Sequence, residues 1–295
     1  KKLKKYAQEV ALFTRLNREF NLGASFSEAK DIESKTRENA LFLPVVAQFN
    51  GLISQEILAW FDKLTIISNL RSEEFKHFSF EMLEDEEFRE KIVKFIKSAD
   101  TGITDIKKKK IDFASLNIES DELKELPDFL LEKLKEEGLS TVETMHMQYD
   151  NNNMFKQLKS FSLNFESDGT QKLLALSAPL IDALLNGEII VVDELDNSLH
   201  TDLVQAIVKL FNCPKSNPNN AQLIFSTHDT NLLNQELFRR DQIWFVQKDI
   251  YGSSELYSLI EYGEGKIRED LALEKNYLNG KFGGKPYISS SLMEL

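Results

Sequence analysis

The hexapeptide Ile189-Ile190-Val191-Val192-Asp193-Glu194 constrains what this chain can fold into more than any other stretch. Its apolar, β-branched run suits a strand buried on both faces, as in a parallel sheet covered by helices on either side. Such a strand delivers Asp193 and Glu194 together at its C-terminal end, the edge of an open α/β sheet where ligands bind. A carboxylate there can hold Mg2+ on the β and γ oxygens of a nucleotide. The adjacent carboxylate can then orient and deprotonate an attacking water. Taken alone, the hexapeptide also reads as a strand whose acidic end caps the next helix.

Two neighbouring stretches bear on that choice. Leu223, Ile224 and Phe225 form a second apolar strand, with Ser226, Thr227 and His228 at its tip. A neutral imidazole there can accept a hydrogen bond from the attacking water or donate one to a γ-phosphate. Upstream, Ser167 and Gly169 stand at the start of an apolar run of helical spacing, Leu173, Leu174, Leu176, Leu180, Ile181 and Leu184. A small hydroxyl residue and a glycine at a helix N-terminus leave backbone N–H groups free to meet an anion. Ser and Asp are also ordinary N-caps, and a histidine after a strand is often structural.

In order and spacing, these segments resemble the C-terminal half of an ABC-type ATPase site. Ser167-Asp168-Gly169-Thr170-Gln171-Lys172 resembles the signature motif, Asp193-Glu194 the Walker B pair with its catalytic glutamate, Leu199-His200 the D-loop and His228 the switch histidine. The wording is similar to the overcoming-lysogenization, RecF and SMC-like branch rather than to transporters. Segments 37–43, 166–172, 241–245 and 283–288 resemble the abortive-infection and restriction-linked ATPases of bacterial phage-defence systems, AbiL- or RloA-like, and the resemblance covers nearly the whole chain.

The resemblance implies ATP and Mg2+, with Asp193 holding the metal, Glu194 as general base and His228 reading the γ-phosphate. It implies nucleotide contacts from Ser167, Asp168, Gly169, Lys172, Leu199 and His200. In ABC-type ATPases the signature serine of one subunit completes the site of the other. A head-to-tail dimer around two ATPs, or a larger oligomer, is therefore expected. Such an assembly switches with hydrolysis and would control an effector protein, a nuclease encoded nearby. Two rival outputs stay open, a RecF- or SMC-like DNA maintenance ATPase and a non-hydrolysing ABC-fold scaffold.

Two departures stand out. His200 replaces the Asp of ABC transporters, a change shared by the resembled branch. No G-x-x-x-x-G-K-[ST] occurs in the sequence, so the P-loop lysine and its backbone cradle are missing from it. Gly102 leads into a lysine run without a second Gly, and the segment from Gly280 has Pro286 where the hydroxyl residue belongs. The resemblance carries the expectation that an N-terminal lobe with the P-loop precedes Lys1; the other reading is a degenerate ATPase that keeps only the fold.

Composition narrows the class. At 295 residues, 42% hydrophobic and 28% charged, the chain has globular values and the length for one large or two ordinary domains. No apolar run approaches the length of a transmembrane helix, and nothing resembles a signal peptide. A single cysteine, Cys213, excludes an internal disulfide and fits a reducing cytosol. The net charge of −12 argues against a surface that binds nucleic acid everywhere. Local DNA contact is left to Lys107, Lys108, Lys109 and Lys110, and to Lys1, Lys2, Lys4 and Lys5.

The expected architecture is α/β: an ABC-type ATPase core with a largely parallel sheet flanked by helices, plus a helical insertion. Residues 1–62 would be the remainder of an N-terminal ATPase lobe, 63–140 the insertion, and 141–295 the C-terminal lobe with signature, Walker B, D-loop and switch histidine. Periodicity predicts helices over 36–62, 81–97, 120–138, 201–211 and 231–239, and a short helix before Gly280. It predicts strands over 141–149 and 159–165 around a turn at Asp150-Asn151-Asn152-Asn153, and again over 242–247 and 255–261. His146 reads as structural, because no Cys or His partner has ligand spacing.

Overall fold

The computed structural model describes residues 10–68, 72–111, 139–261 and 272–285, and the chain divides into two units, Lys1–Thr65 and Ile66–Leu295. In the first, strands β1 (Phe13–Leu16) and β2 (Glu19–Leu22) form an antiparallel hairpin with Phe13 opposite Leu22. Their alternation turns Phe13, Phe20 and Leu22 onto a small core of Phe26, Ala29, Ile32, Phe42 and Val46.

The helix expected over 36–62 is two shorter ones, α1 (Phe42–Gln48) and α2 (Leu52–Phe61). The break falls at Asn50-Gly51, where Asn50 takes φ +65°; an Asn-Gly pair favours a turn over helix continuation. Leu41, Phe49, Leu52, Trp60 and Phe61 remain exposed, so the expected apolar face is only partly buried.

Strand β3 (Leu64–Ile67) is followed by α3 (Ser72–Met82) and α4 (Glu86–Lys97). The helical pattern over 81–97 is interrupted because the Asp85 carboxylate accepts the Phe88 N–H at 2.8 Å and caps α4. Strands β4 (Ile103–Ile111), β5 (Leu139–Tyr149) and β6 (Phe155–Ser162) then form an antiparallel sheet in that order. The segment 63–140 is thus mixed rather than wholly helical. Phe88, Ile92 and Ile96 of α4 and Ile106 of β4 share one core with the helix that follows Ser167. The helix expected over 120–138 lies outside the described residues.

That following helix, α5 (Asp168–Asn186), buries Leu173, Leu174, Leu176 and Leu180. Ser79 of α3 donates to the Ala175 carbonyl at 2.9 Å, fixing one helix on the other. The helix stops at Gly187 with φ +68°, where a Cβ would come within 2.4 Å of the Asn219 carbonyl oxygen. Strand β7 (Ile189–Val192) begins at once, followed by α6 (Thr201–Asn212) and β8 (Gln222–Phe225).

The sheet order is β3-β7-β8, and β7 pairs with β8 in parallel, Ile189 opposite Gln222 and Val192 opposite Phe225. The fold is α/β with a parallel sheet flanked by helices. Ile190 and Val192 are buried, whereas Ile189 and Val191 are half-buried, so the expectation of two fully covered faces holds for one of them.

The helix expected over 231–239 is a 3-10 turn, Thr230–Leu232, followed by irregular chain. Asp229 and Asn234 accept the N–H groups of Asn231 and Glu236, and such side-chain bonds offer the backbone an alternative to the helix. Strands β9 (Trp244–Lys248) and β10 (Ser254–Ser258) make a hairpin against α7 (Leu273–Leu278), burying Ile243, Phe245, Leu259, Leu273 and Phe282. Tyr277 of α7 donates to the Gly284 carbonyl at 3.0 Å, and the Gly284 N–H donates to Gln247 Oε1 of β9 at 3.2 Å, which together draw the start of the 283–288 segment onto the helix and hairpin; residues 286–288 lie outside the described residues. No helix among the described residues is long and apolar enough to cross a membrane.

Candidate functional site

The parallel pairing of β7 and β8 continues past both strands. Ser226 N–H donates to the Val192 carbonyl at 3.0 Å, and Leu195 N–H to the Ser226 carbonyl at 3.1 Å. Asp193 N–H reaches the Ile67 carbonyl of β3 at 2.9 Å. The tips of all three strands therefore meet at the sheet edge where sequence reasoning put Asp193, Glu194 and His228.

Ser226, at the tip of β8, ties this edge together. Its hydroxyl donates to Asp193 Oδ1 at 2.6 Å and accepts the Glu194 N–H at 2.8 Å. Glu194 has φ +51°, a left-handed conformation that costs an ordinary residue on the order of 1 kcal/mol. On its other side, the Lys172 ammonium donates to the Glu194 carbonyl at 2.8 Å. The Glu194 carboxylate lies 3.7 Å from His228 Nε2, with the imidazole 84% exposed. The His228 N–H is shared between both carboxylate oxygens of Asp196, each at 3.3 Å.

Burial pushes the Lys172 ammonium below its ordinary range, against Asp196 and Glu194, which act to raise it. Burial also acts to raise Asp229, yet hydrogen bonds from Thr201 and Asn231 hold its carboxyl below the usual carboxylate range. An exposed Asp193 carboxylate and a half-buried Glu194 carboxylate beside an exposed imidazole can bind a cation, accept a proton or meet a phosphate.

Ser167 is the N-cap of α5, and its hydroxyl accepts the Thr170 N–H at 3.2 Å. The helix start abuts the turn after β7: a Cβ on Gly169 would stand 2.5 Å from the Ser198 carbonyl oxygen. Ser198 itself takes φ +59°, and the turn ends at His200, whose Nδ1 accepts the Asp202 N–H at 3.2 Å to cap α6. Asp168 is exposed, whereas Leu199 packs on the main core. Asp193, Glu194, His228 and Lys172 thus form one cluster, while Ser167, Asp168 and Gly169 open α5 beside the turn that Leu199 and His200 close. Ser226 and Asp196 complete the first cluster without having been singled out. Ser226 was visible in the Ser-Thr-His tip, but its role depends on a residue 33 positions earlier.

Asp193 offers a single carboxylate at a solvent-facing edge, as Mg2+ requires when substrate phosphates and waters supply its other ligands. No group of three or more His, Cys, Asp or Glu among the described residues could hold a metal by itself. Of the lysine run, Lys108 pairs with Glu84 at 2.6 Å and Lys109 with Glu143 at 3.0 Å, which lowers their value as phosphate contacts. Lys107 is exposed. The side chain of Lys110, and Lys1 to Lys5, lie outside the described residues.

The family described as "AAA domain, putative AbiEii toxin, Type IV TA system" matches residues 12–234, a stretch that includes α5, β7, β8 and His228. No curated protein matches the chain.

Proposed function

The chain belongs to this AAA-domain family, and from that premise we propose that it is an ATP-binding and ATP-hydrolysing subunit of a bacterial phage-defence system, akin to the AbiL- or RloA-like ATPases. The observation that carries the reading is the convergence of Asp193, Glu194 and His228 on one sheet edge beside the Ser167-capped helix start.

Asp193 would hold Mg2+, which would supply charge neutralisation to the phosphates of ATP. Glu194 takes the proton of the attacking water, and His228 offers a hydrogen bond to the γ-phosphate. Ser167 and the N–H groups of Asp168 and Gly169, which have no intrahelical acceptor, meet the phosphates of ATP held by a second copy. His200 and the D-loop turn face the same partner. ATP binding closes this head-to-tail dimer, or a larger oligomer built from it, and hydrolysis reopens it. The switch acts in the cytoplasm on an effector, a nuclease in the simplest case.

The test is ATP turnover by the intact protein over a range of concentrations, beside Glu194→Gln. Activity per molecule that rises with concentration and is lost in the variant supports the composite site. Activity indifferent to Glu194, or no turnover, rejects it in favour of a scaffold. Turnover stimulated by DNA without an effector favours a DNA-maintenance role.

A further inference from the structure

Glu194 is gripped from both sides by side chains of its own chain. Ser226 Oγ accepts its N–H at 2.8 Å, and Lys172 Nζ donates to its carbonyl at 2.8 Å. The peptide group that follows is held twice, since its other end, the Leu195 N–H, reaches the Ser226 carbonyl at 3.1 Å. These bonds surround a non-glycine residue at φ +51°. A conformation of this kind persists only where its surroundings over-determine it. Without them the peptide would relax, and the Glu194 carboxylate would leave its place beside His228.

The two clamping residues come from different elements. Ser226 sits at the tip of β8 and is tied to the metal-holding Asp193. Lys172 sits in the second turn of α5, the helix whose first residues are the signature segment, and Gly169 of that segment abuts the turn after Glu194 at Ser198. We propose that Lys172 and Ser226 are positioning residues for Glu194, and that through Lys172 the seating of the signature helix sets the aim of the carboxylate in the same chain. If the signature segment serves a second copy's nucleotide, Lys172 links the two composite sites of a dimer: engagement at one adjusts the base of the other. Lys172 then acts on the chain's own backbone rather than on ATP. The inference rests on the functional reading above only in its kinetic consequence.

The experiment uses the intact protein with Lys172→Met, Lys172→Arg, Ser226→Ala and Ser226→Thr. Amide hydrogen exchange over 193–196 is measured beside kcat and KM for ATP. The expected result is exchange at Glu194 and Leu195 faster by roughly tenfold or more in the Met and Ala variants, with β7 amides unchanged. Arg and Thr should restore it. Kinetically, kcat falls roughly 100-fold in the Met and Ala variants while KM stays within about twofold. Unchanged exchange overturns the proposal, as does a rise in KM at constant kcat, which would make Lys172 a nucleotide contact. If the wild type hydrolyses nothing, the functional reading fails while the exchange result still decides the positioning role either way.

Discussion

His146 Nε2 stands 2.7 Å from Oε1 of Glu166, and the Thr144 hydroxyl donates to the same oxygen. Glu166 immediately precedes the Ser167 cap, and its carbonyl accepts from Gln171 Nε2 at 2.9 Å. The middle strand of the antiparallel sheet is thereby fastened to the start of α5 through a carboxylate that is only 12% exposed. This is the structural role expected of His146.

Replacing His146 with Ala removes one partner of a largely buried carboxylate. The expected cost is about 1–2 kcal/mol of stability, since an acceptor left under-satisfied carries its desolvation penalty. Urea unfolding of the intact protein measures it, and a midpoint equal to wild type would show that Thr144 alone suffices.

Gly169→Ala places a methyl 2.5 Å from the Ser198 carbonyl oxygen, a backbone atom that cannot swing aside. The helix start and the turn at Ser198 must move apart. Overpacking of this kind costs about 1–3 kcal/mol, and a displacement of about 1 Å at a reactive constellation can cost roughly 100-fold in rate. The variant should therefore remain folded by circular dichroism while losing most turnover.

In the first unit, the Glu28 carboxylate accepts the N–H groups of Ile53 and Ser54, both at 2.9 Å, and the Ser54 hydroxyl at 2.8 Å. It caps α2 from a distance, because the N-cap residue, Gly51, has no side chain to do so. Glu28→Ala should cost about 1–2 kcal/mol, the usual loss for a removed cap.

The same carboxylate predicts a pH dependence. Burial acts to raise the Glu28 pKa, but hydrogen bonds from Ile53, Ser54 and Leu52 outweigh it and hold the group below its usual 4.5. The unfolded chain binds the proton more readily, so this contribution is present above the ordinary value and is lost as pH falls through the lowered one. Acid titration of stability from pH 4.5 downward should fall more steeply for wild type than for Glu28→Gln.

Asp193→Ala, or removal of Mg2+ with a chelator, should depress turnover by roughly 100-fold or more, equivalent to about 3 kcal/mol. Excess Mg2+ should rescue the chelated wild type but not the variant. A variant that retains full Mg2+-dependent turnover would remove Asp193 from the metal site.

Much of the local framework around these residues was legible as text because its pieces are local. The run over 189–192 makes a strand wherever helices cover it, the Asp150 turn reverses the chain within four residues, and Ser167 caps the helix that starts beside it. The misreadings are local too, but at finer grain. Asn50-Gly51 and Asp85 interrupt helical patterns that periodicity alone carries through, and Asp229 and Asn234 divert a third into turns.

By itself, then, the sequence determined which short segments become strands and helices and which acids and imidazole emerge at their tips, since periodicity and capping act over a few residues. Only the tertiary structure decided what those groups touch. Lys172 meets a carbonyl 22 positions away, Ser226 a carboxylate 33 away, and Glu28 a helix start 25 and 26 away. A hydrogen bond needs both atoms within about 3 Å and in line. For Lys172 and Ser226 that condition is met by the closing of the parallel sheet and the docking of α5 on it, and for Glu28 by the packing of the first unit; spacing along the chain gives neither.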